Sequence, residues 1–164
     1  MVKIKRIPQT GLRIIANMET PHRVSVRVGD KTLQLDMPKL LGGTHQGIMP
    51  LEAVIAAYSG SLNVVGNFVA KTMEFDMQNW EFTIWAEFDP SGMWGIANVK
   101  KPIRVVHVEA RVTTTESERR LTELRKRLAE RDPVHNLLKS AGVRFEEKWQ
   151  QVSPKKVRTK SRKK

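Results

Sequence analysis

Apolar and polar residues alternate strictly in RVSVRV, residues 23–28, and again in KTLQLD from Lys31 to Asp36. A period of two sends successive side chains to opposite faces, so each run predicts a strand with one covered face. Gly29-Asp30 supplies a turn between them, and the β-branched and apolar residues from Leu12 to Met18 add a third strand. Together they predict a small antiparallel sheet. Residues 37–49, MPKLLGGTHQGIM, hold three glycines and read as a loop leading into Pro50, a residue suited to the first turn of a helix. From Leu51 to about Phe75 there is no proline, and apolar residues recur on every side: Leu51, Val54, Ile55, Tyr58, Leu62, Val65, Phe68 and Val69. A helix apolar all round predicts burial, here as a long central helix with neighbours on both sides, a second subunit among them. Gly60 and Gly66 each lower helix propensity by about 1 kcal/mol relative to Ala, which predicts close approach of another backbone at those positions.

Further along, WEFTIWAEF (Trp80 to Phe88) and IRVVHVEARVT (Ile103 to Thr113) predict two strands joined by a loop containing SGMWG. Thr115 with Glu118 three residues on has the form of a capping box, predicting a helix to about Arg131. Asp132-Pro133 opens a second, shorter helix that Gly142 stops. Val143, Phe145 and Trp149 alternate with Arg144, Glu146 and Lys148 as a closing strand. The order is three strands, a long helix, two strands, two helices and a last strand, which describes an α+β domain over residues 11–152.

Composition narrows the class. With 164 residues and 40% hydrophobic content the chain suits one domain with a core. The sequence offers no obvious run of roughly 18 to 20 uncharged apolar residues, and its start lacks the apolar segment of a signal peptide, so a soluble, cytoplasmic protein without membrane contact is expected. There is no cysteine, which excludes disulfides, thiolate metal sites and cysteine nucleophiles. The formal charge is +12, and it is unevenly placed. Residues 1–13 carry Lys3, Lys5, Arg6 and Arg13 without an acid, and residues 154–164 carry seven Lys and Arg without one. The 140 residues between hold 18 basic and 17 acidic side chains. Residues 1–10 thus form a basic arm, and residues 153–164 a basic tail expected to be disordered or ordered by a partner. Runs of like charge repel themselves until an anionic surface compensates them, and a nucleic acid is such a surface.

Other constellations weigh less. His22, His45, His107 and His135 form no ligand pair at metal-binding spacing, so no metal and no cofactor is expected. Ser59 and Ser61 sit in AYSGSLN, without the GxSxG of a nucleophile elbow. GGTHQG precedes a helix but lacks the Lys-Ser/Thr ending of a phosphate-binding loop, so a turn accounts for it. Trp94, between Gly92 and Gly95, belongs to a partner-facing loop, as a lid, a dimer contact or a base-stacking platform. The helix before Asp132 places Leu121, Leu124 and Leu128 on one face. Arg125, Lys126 and Arg127 lie on the others, where they are either a solvated face or an extension of the basic footprint.

Three features in this order, a Gly-rich loop, a Pro-started buried helix and a late Asp-Pro-Val turn, resemble the osmotically inducible protein C and organic hydroperoxide resistance (OsmC/Ohr) family from about residue 11 to residue 149. The resemblance implies an OsmC-like fold, with antiparallel sheets packed around a long buried central helix, and a homodimer. In that family a peroxidatic cysteine lies eleven residues after the helix-opening proline, in a stretch like AA-x-x-x-Cys; here AAYSGS puts Ser61 there. The second cysteine lies in a Cys-Pro-Val-like turn, and RDPVHN puts Asp132 there. The carboxylate expected just after the proline is Leu51, with Glu52 displaced by about 100° around the helix. The family's orienting arginine corresponds to either Arg13 or Arg23.

Peroxide reduction needs a thiolate that becomes a sulfenic acid and condenses with a second thiol. Serine has no such oxidised form, so the resemblance with Leu51, Ser61 and Asp132 at the three positions implies a non-catalytic member. The expectation is a protein binding nucleic acid through Lys3, Lys5, Arg6, Arg125, Lys126, Arg127, Lys155, Lys156, Arg158, Lys160, Arg162, Lys163 and Lys164. RNA is favoured over DNA because no groove-reading motif is present, and a ribosome-associated protein is the form this takes. The alternatives are a small apolar ligand in the family pocket at the dimer interface, DNA binding in chromatin, and different chemistry on Ser61.

Overall fold

The computed structural model describes residues 10–154, and within them the chain forms two compact units divided between Val54 and Ile55. The N-terminal unit holds β1 (Ile15–Thr20), β2 (Arg23–Val28) and β3 (Lys31–Leu35), an antiparallel sheet in the order β1-β2-β3. Gly29 turns the β2–β3 hairpin at a φ of 60°. Strand β1 starts at Ile15 and not at Leu12, which is almost fully exposed. Val24 pairs with Met18 and Leu35, and Val26 with Ala16 and Leu33, so these residues share one face. Val26 is buried, yet Met18, Leu33 and Val28 remain exposed.

The glycine loop folds back on the sheet around Asp36. This buried carboxylate accepts backbone N–H groups of Met37, Thr44 and Gln46 and the Thr44 hydroxyl. Burial acts to raise the Asp36 carboxyl, but these bonds outweigh it and hold the group well below the usual carboxylate range. The anion cradled by this loop is therefore the protein's own. A short 3-10 turn, Lys39–Leu41, lies within the loop, and a side chain at Gly43 would collide with the Met37 carbonyl.

Helix α1 (Pro50–Thr72) crosses from one unit to the other. Its first turn is closed by Glu52, whose carboxylate accepts the Met49 N–H at 2.8 Å. It ends at Thr72, three residues before Phe75, because Glu74 takes a left-handed φ of 51° and the Phe75 N–H bonds back to the Ala70 carbonyl. Expected to be buried all round, α1 buries only Tyr58, Leu62, Gly66, Val69 and Ala70, while Val64 and Phe68 are 67% and 69% exposed. By length and composition α1 is also apolar enough to cross a membrane, which corrects the expectation that no stretch comes near this. Its buried side is built into a globular core with Met73, Phe75, Val112, Leu121 and Leu124.

The second unit continues with β4 (Asn79–Phe88), β5 (Ile103–Thr113), α2 (Glu118–Arg131), α3 (Pro133–Ser140) and β6 (Arg144–Val152). Its sheet is ordered β4-β5-β6, and β6 runs parallel to β5, so this sheet is mixed where an all-antiparallel one was expected. The reason is the connection: two helices between β5 and β6 form a crossover that returns the chain to the same end of the sheet. The parallel ladder carries β6 on to Val152, beyond Trp149. Gly66 abuts the Trp80 ring, so it approaches a side chain and not a backbone; Gly60 faces open space. The expected capping box is also displaced. Ser117 caps α2 by accepting the Arg120 N–H, while the Thr115 hydroxyl donates to Asp76.

Candidate functional site

Tyr58 and Ser61 are three residues apart on α1 and share its inner face; Asp132 and His135 are likewise three apart at the start of α3. The fold joins the two pairs. The Ser61 hydroxyl donates to Asp132 Oδ1 at 2.8 Å, and the Tyr58 hydroxyl lies 3.3 Å from His135 Nδ1. Asp132 is fully buried, and its Oδ1 also accepts the N–H groups of Val134 and His135, both at 2.8 Å. It is thus the N-cap of α3, as the sequence implied, in a position that also favours negative charge at a helix start. Asp132 Oδ2 is buried without a partner.

Phe145 closes this cluster, stacked on His135 at 4.1 Å and edge-on to Tyr58 at 5.5 Å. Burial, with Glu147 and Asp132 nearby, raises the Tyr58 phenol well above its usual 10.0, so it stays protonated within hydrogen-bond distance of His135 Nδ1. Burial lowers His135 below its usual 6.5, outweighing the same two carboxylates. A histidine held neutral by the fold contributes stability above 6.5 that is lost as pH falls through its depressed folded value. A urea midpoint that drops between pH 7.5 and 5.5 in the parent, and drops less in His135→Gln, is the expected result.

The surrounding space, lined by Tyr58, Leu62, Leu128, Asp132, His135 and Trp149, is packed without room for a water molecule. Among the described residues no three of His, Asp or Glu gather as a metal site. His107 lies on the outer face of its sheet between Glu87 and Glu146, stacked on Trp85 at 4.8 Å. Leu51 is half-buried in the first turn of α1. Of the two arginine candidates, Arg23 is fixed within its own unit by Glu19, Thr44 and Gln46. No such bond is formed by Arg13 among the described residues. Trp94 is 52% exposed in its loop, beside exposed Met93 and Ile96.

The basic trio on α2 is divided. Arg125 donates to Glu147 at 2.7 Å, Arg127 is bound to Glu123, and Lys126 forms no ion pair among the described residues. Lys3, Lys5, Arg6, Lys155, Lys156, Arg158, Lys160, Arg162, Lys163 and Lys164 lie outside the described residues. Sequence reasoning missed Tyr58 as His135's partner. Its three-residue spacing from Ser61 was the available signal, but a tyrosine on an apolar helix reads as core.

The described residues form an α+β fold in which a long proline-started helix meets a capped helix turn through Ser61 and Asp132, and this fold matches that of OsmC-like proteins. The family model for OsmC-like protein matches residues 43–148, and the chain belongs to this family. The OsmC-like protein from Mycoplasma pneumoniae superposes with a TM-score of 0.75 at 16% identity, covering 88% of this chain and 99% of that one. The organic hydroperoxide resistance protein OsmC from Legionella pneumophila gives 0.67 at 18% identity, covering 88% and 99%. OhrB of Bacillus subtilis gives 0.55 at 16%, covering 87% and 98%. At these identities the likeness is one of fold. Comparison with curated proteins yields no match.

Proposed function

We propose that this chain is a non-catalytic member of the OsmC-like family that binds nucleic acid through its basic segments, structured RNA in particular, as a ribosome-associated protein. The observation that carries the reading is the separation of charge: residues 1–13 and 154–164 hold only basic residues, while the stretch between is close to neutral. Phosphates neutralised by such segments release condensed counterions, which makes binding steeply salt-dependent and weakly sequence-selective. Arg158 and Arg162 suit bidentate phosphate contacts, and the five lysines of residues 154–164 act as point charges.

Loss of peroxidase chemistry fits the same reading. Without cysteine there is no group to form a sulfenic acid, and the Ser61 hydroxyl is engaged as donor to a carboxylate that caps a helix. A pair of polar groups here supports structure where thiols would support turnover. The exposed apolar residues Val64 and Phe68 on α1 support a homodimer, as do Met18 and Leu33 on the N-terminal sheet, since surfaces of this kind are usually covered.

The test is binding of the full chain to ribosomal RNA between 50 and 200 mM salt, against a full-length variant with the seven basic residues of 154–164 changed to Gln. Seven contacts to single-stranded phosphates predict a salt slope steeper by about 5 in the parent, so that across this range the parent loses about a thousandfold more affinity than the variant does. Equal competition by duplex DNA would move the reading to chromatin. No RNA binding by the parent, or organic peroxide consumption above buffer, would overturn it.

A further inference from the structure

The connection between β4 and β5, residues 89–102, is an ordered loop closed on itself. At its neck the Asp89 N–H donates to the Pro102 carbonyl at 2.9 Å, and Asp89 Oδ1 accepts the Ser91 N–H. Beyond the neck the N–H groups of Ile96 and Ala97 both return to the Ser91 carbonyl, and those of Trp94 and Gly95 to the carbonyls of Pro90 and Gly92. Gly92 lies against Val99, where a Cβ would stand 2.8 Å from the valine side chain. This folding turns the seven residues from Gly92 to Asn98 outward, all of them exposed. Three are large and apolar: Met93, Trp94 and Ile96, the last 78% exposed. An exposed apolar cluster on an ordered loop marks a contact surface.

Charge selects the partner. Residues 90–108 hold no acid, and Lys100 and Lys101 follow the tip on the return arm, both exposed and without an ion pair among the described residues. Lys101 stands at the neck, its Nζ 2.6 Å from where a side chain at Gly142 would begin. Arg104, just inside β5, is 3.9 Å from Asp89 in a largely exposed pair, which solvent screens. The order from the tip inward is therefore apolar residues first and cations behind them. A phospholipid surface presents the complementary order, acyl chains beneath phosphates. Tryptophan favours the boundary between the two, and lysine stems run along the apolar side while their ammonium groups stay at the phosphates. A base-stacking platform would instead place cations beside the ring, where Trp94 has Met93 and Ile96. We infer that the β4–β5 loop docks on an anionic phospholipid surface, with Met93, Trp94 and Ile96 entering the acyl boundary and Lys100 and Lys101 holding phosphates. Such a peripheral contact needs neither a spanning segment nor a signal peptide, the features on which the expectation of no membrane contact rests. It stands independently of the nucleic-acid reading.

The probe is vesicles of phosphatidylcholine with about 30% phosphatidylglycerol, co-sedimented with the full chain. Three full-length variants are compared with the parent: Met93→Ser with Trp94→Ser and Ile96→Ser; Lys100→Gln with Lys101→Gln; and a control pair, Lys71→Gln with Arg119→Gln, which removes equal charge where α1 ends and α2 begins, at the other end of β4 and β5. All these positions are exposed, so the variants keep the parent's Tm. The apolar triple is expected to bind about thirtyfold more weakly or worse, and the loop-lysine pair about twenty-five-fold, at about fivefold per lysine. Brominated acyl chains are expected to quench a share of the parent's tryptophan emission that Trp94→Phe lacks while still binding. Equal loss in the control pair, or identical quenching in the parent and Trp94→Phe, overturns the inference. So does an apolar triple that binds vesicles as the parent does: if it sediments as a smaller species, the tip belongs to a second copy of the chain, and if it loses affinity for an oligouridylate, the tip is a base-stacking platform.

Discussion

Replacing Asp132 by Ala is expected to destabilise the protein by about 2–5 kcal/mol, read as a fall in urea midpoint at an unchanged m-value. Two losses combine. The first is the helix cap, since Oδ1 accepts the N–H groups of Val134 and His135, and removing a cap of this kind costs about 1–2 kcal/mol. The second is the Ser61 hydroxyl, which would be left without its acceptor in a part-buried setting, at about 1–3 kcal/mol. Asp132→Asn separates charge from geometry. Its carbonyl can still accept all three donors, but its amide must occupy the buried place where Oδ2 has no partner. A smaller loss than for Ala is expected, about 1–2 kcal/mol. If Ala and Asn are both neutral, the Ser61–Asp132 bond contributes nothing to the fold, and Asp132 has no structural role in place of a thiol.

Gly66→Ala and Gly60→Ala should move stability in opposite directions, though both replace glycine by the better helix former in the same helix. A Cβ at Gly66 would lie 1.8 Å from the Trp80 ring, which must shift. That ring is hemmed in by Phe82, with centroids 4.6 Å apart, and by Trp149, and its indole donates to Asn63 at 3.0 Å. Overpacking against a fixed aromatic costs about 1–3 kcal/mol, which outweighs the helix-propensity gain. At Gly60 nothing lies within 4 Å, so alanine should stabilise by about 0.5–1 kcal/mol. Thermal unfolding decides it: a Tm that falls in the first and rises in the second. A rise in both would mean that Trp80 moves aside freely.

Elements with strong periodicity or punctuation were legible in the sequence. Strand β2 is bounded within one residue by RVSVRV and Gly29, and α3 by Asp132-Pro133 and Gly142, because alternation, capping and proline act within a few residues of where they stand. Boundaries set by distant partners were not. Thr115 has the form of an N-cap, but Asp76, 39 residues away, takes its hydroxyl, and Ser117 becomes the cap. The strand β6 outlasts its own alternation because β5 supplies a parallel ladder to Val152. The two parts of the candidate site divide the same way. Ser61 and Asp132 could each be placed by spacing within its own segment, but their hydrogen bond joins residues 71 apart.

By itself, then, the sequence determined the element order, the absence of thiol chemistry and the placement of charge, since each depends on residue identity or on neighbours within a turn. Only the tertiary structure decided which of these residues meet. The parallel closing strand exists because a helical crossover separates β5 from β6, and the Tyr58–His135 pair because α1 meets the start of α3. Contacts of that kind depend on how elements pack in space, and no local pattern encodes them.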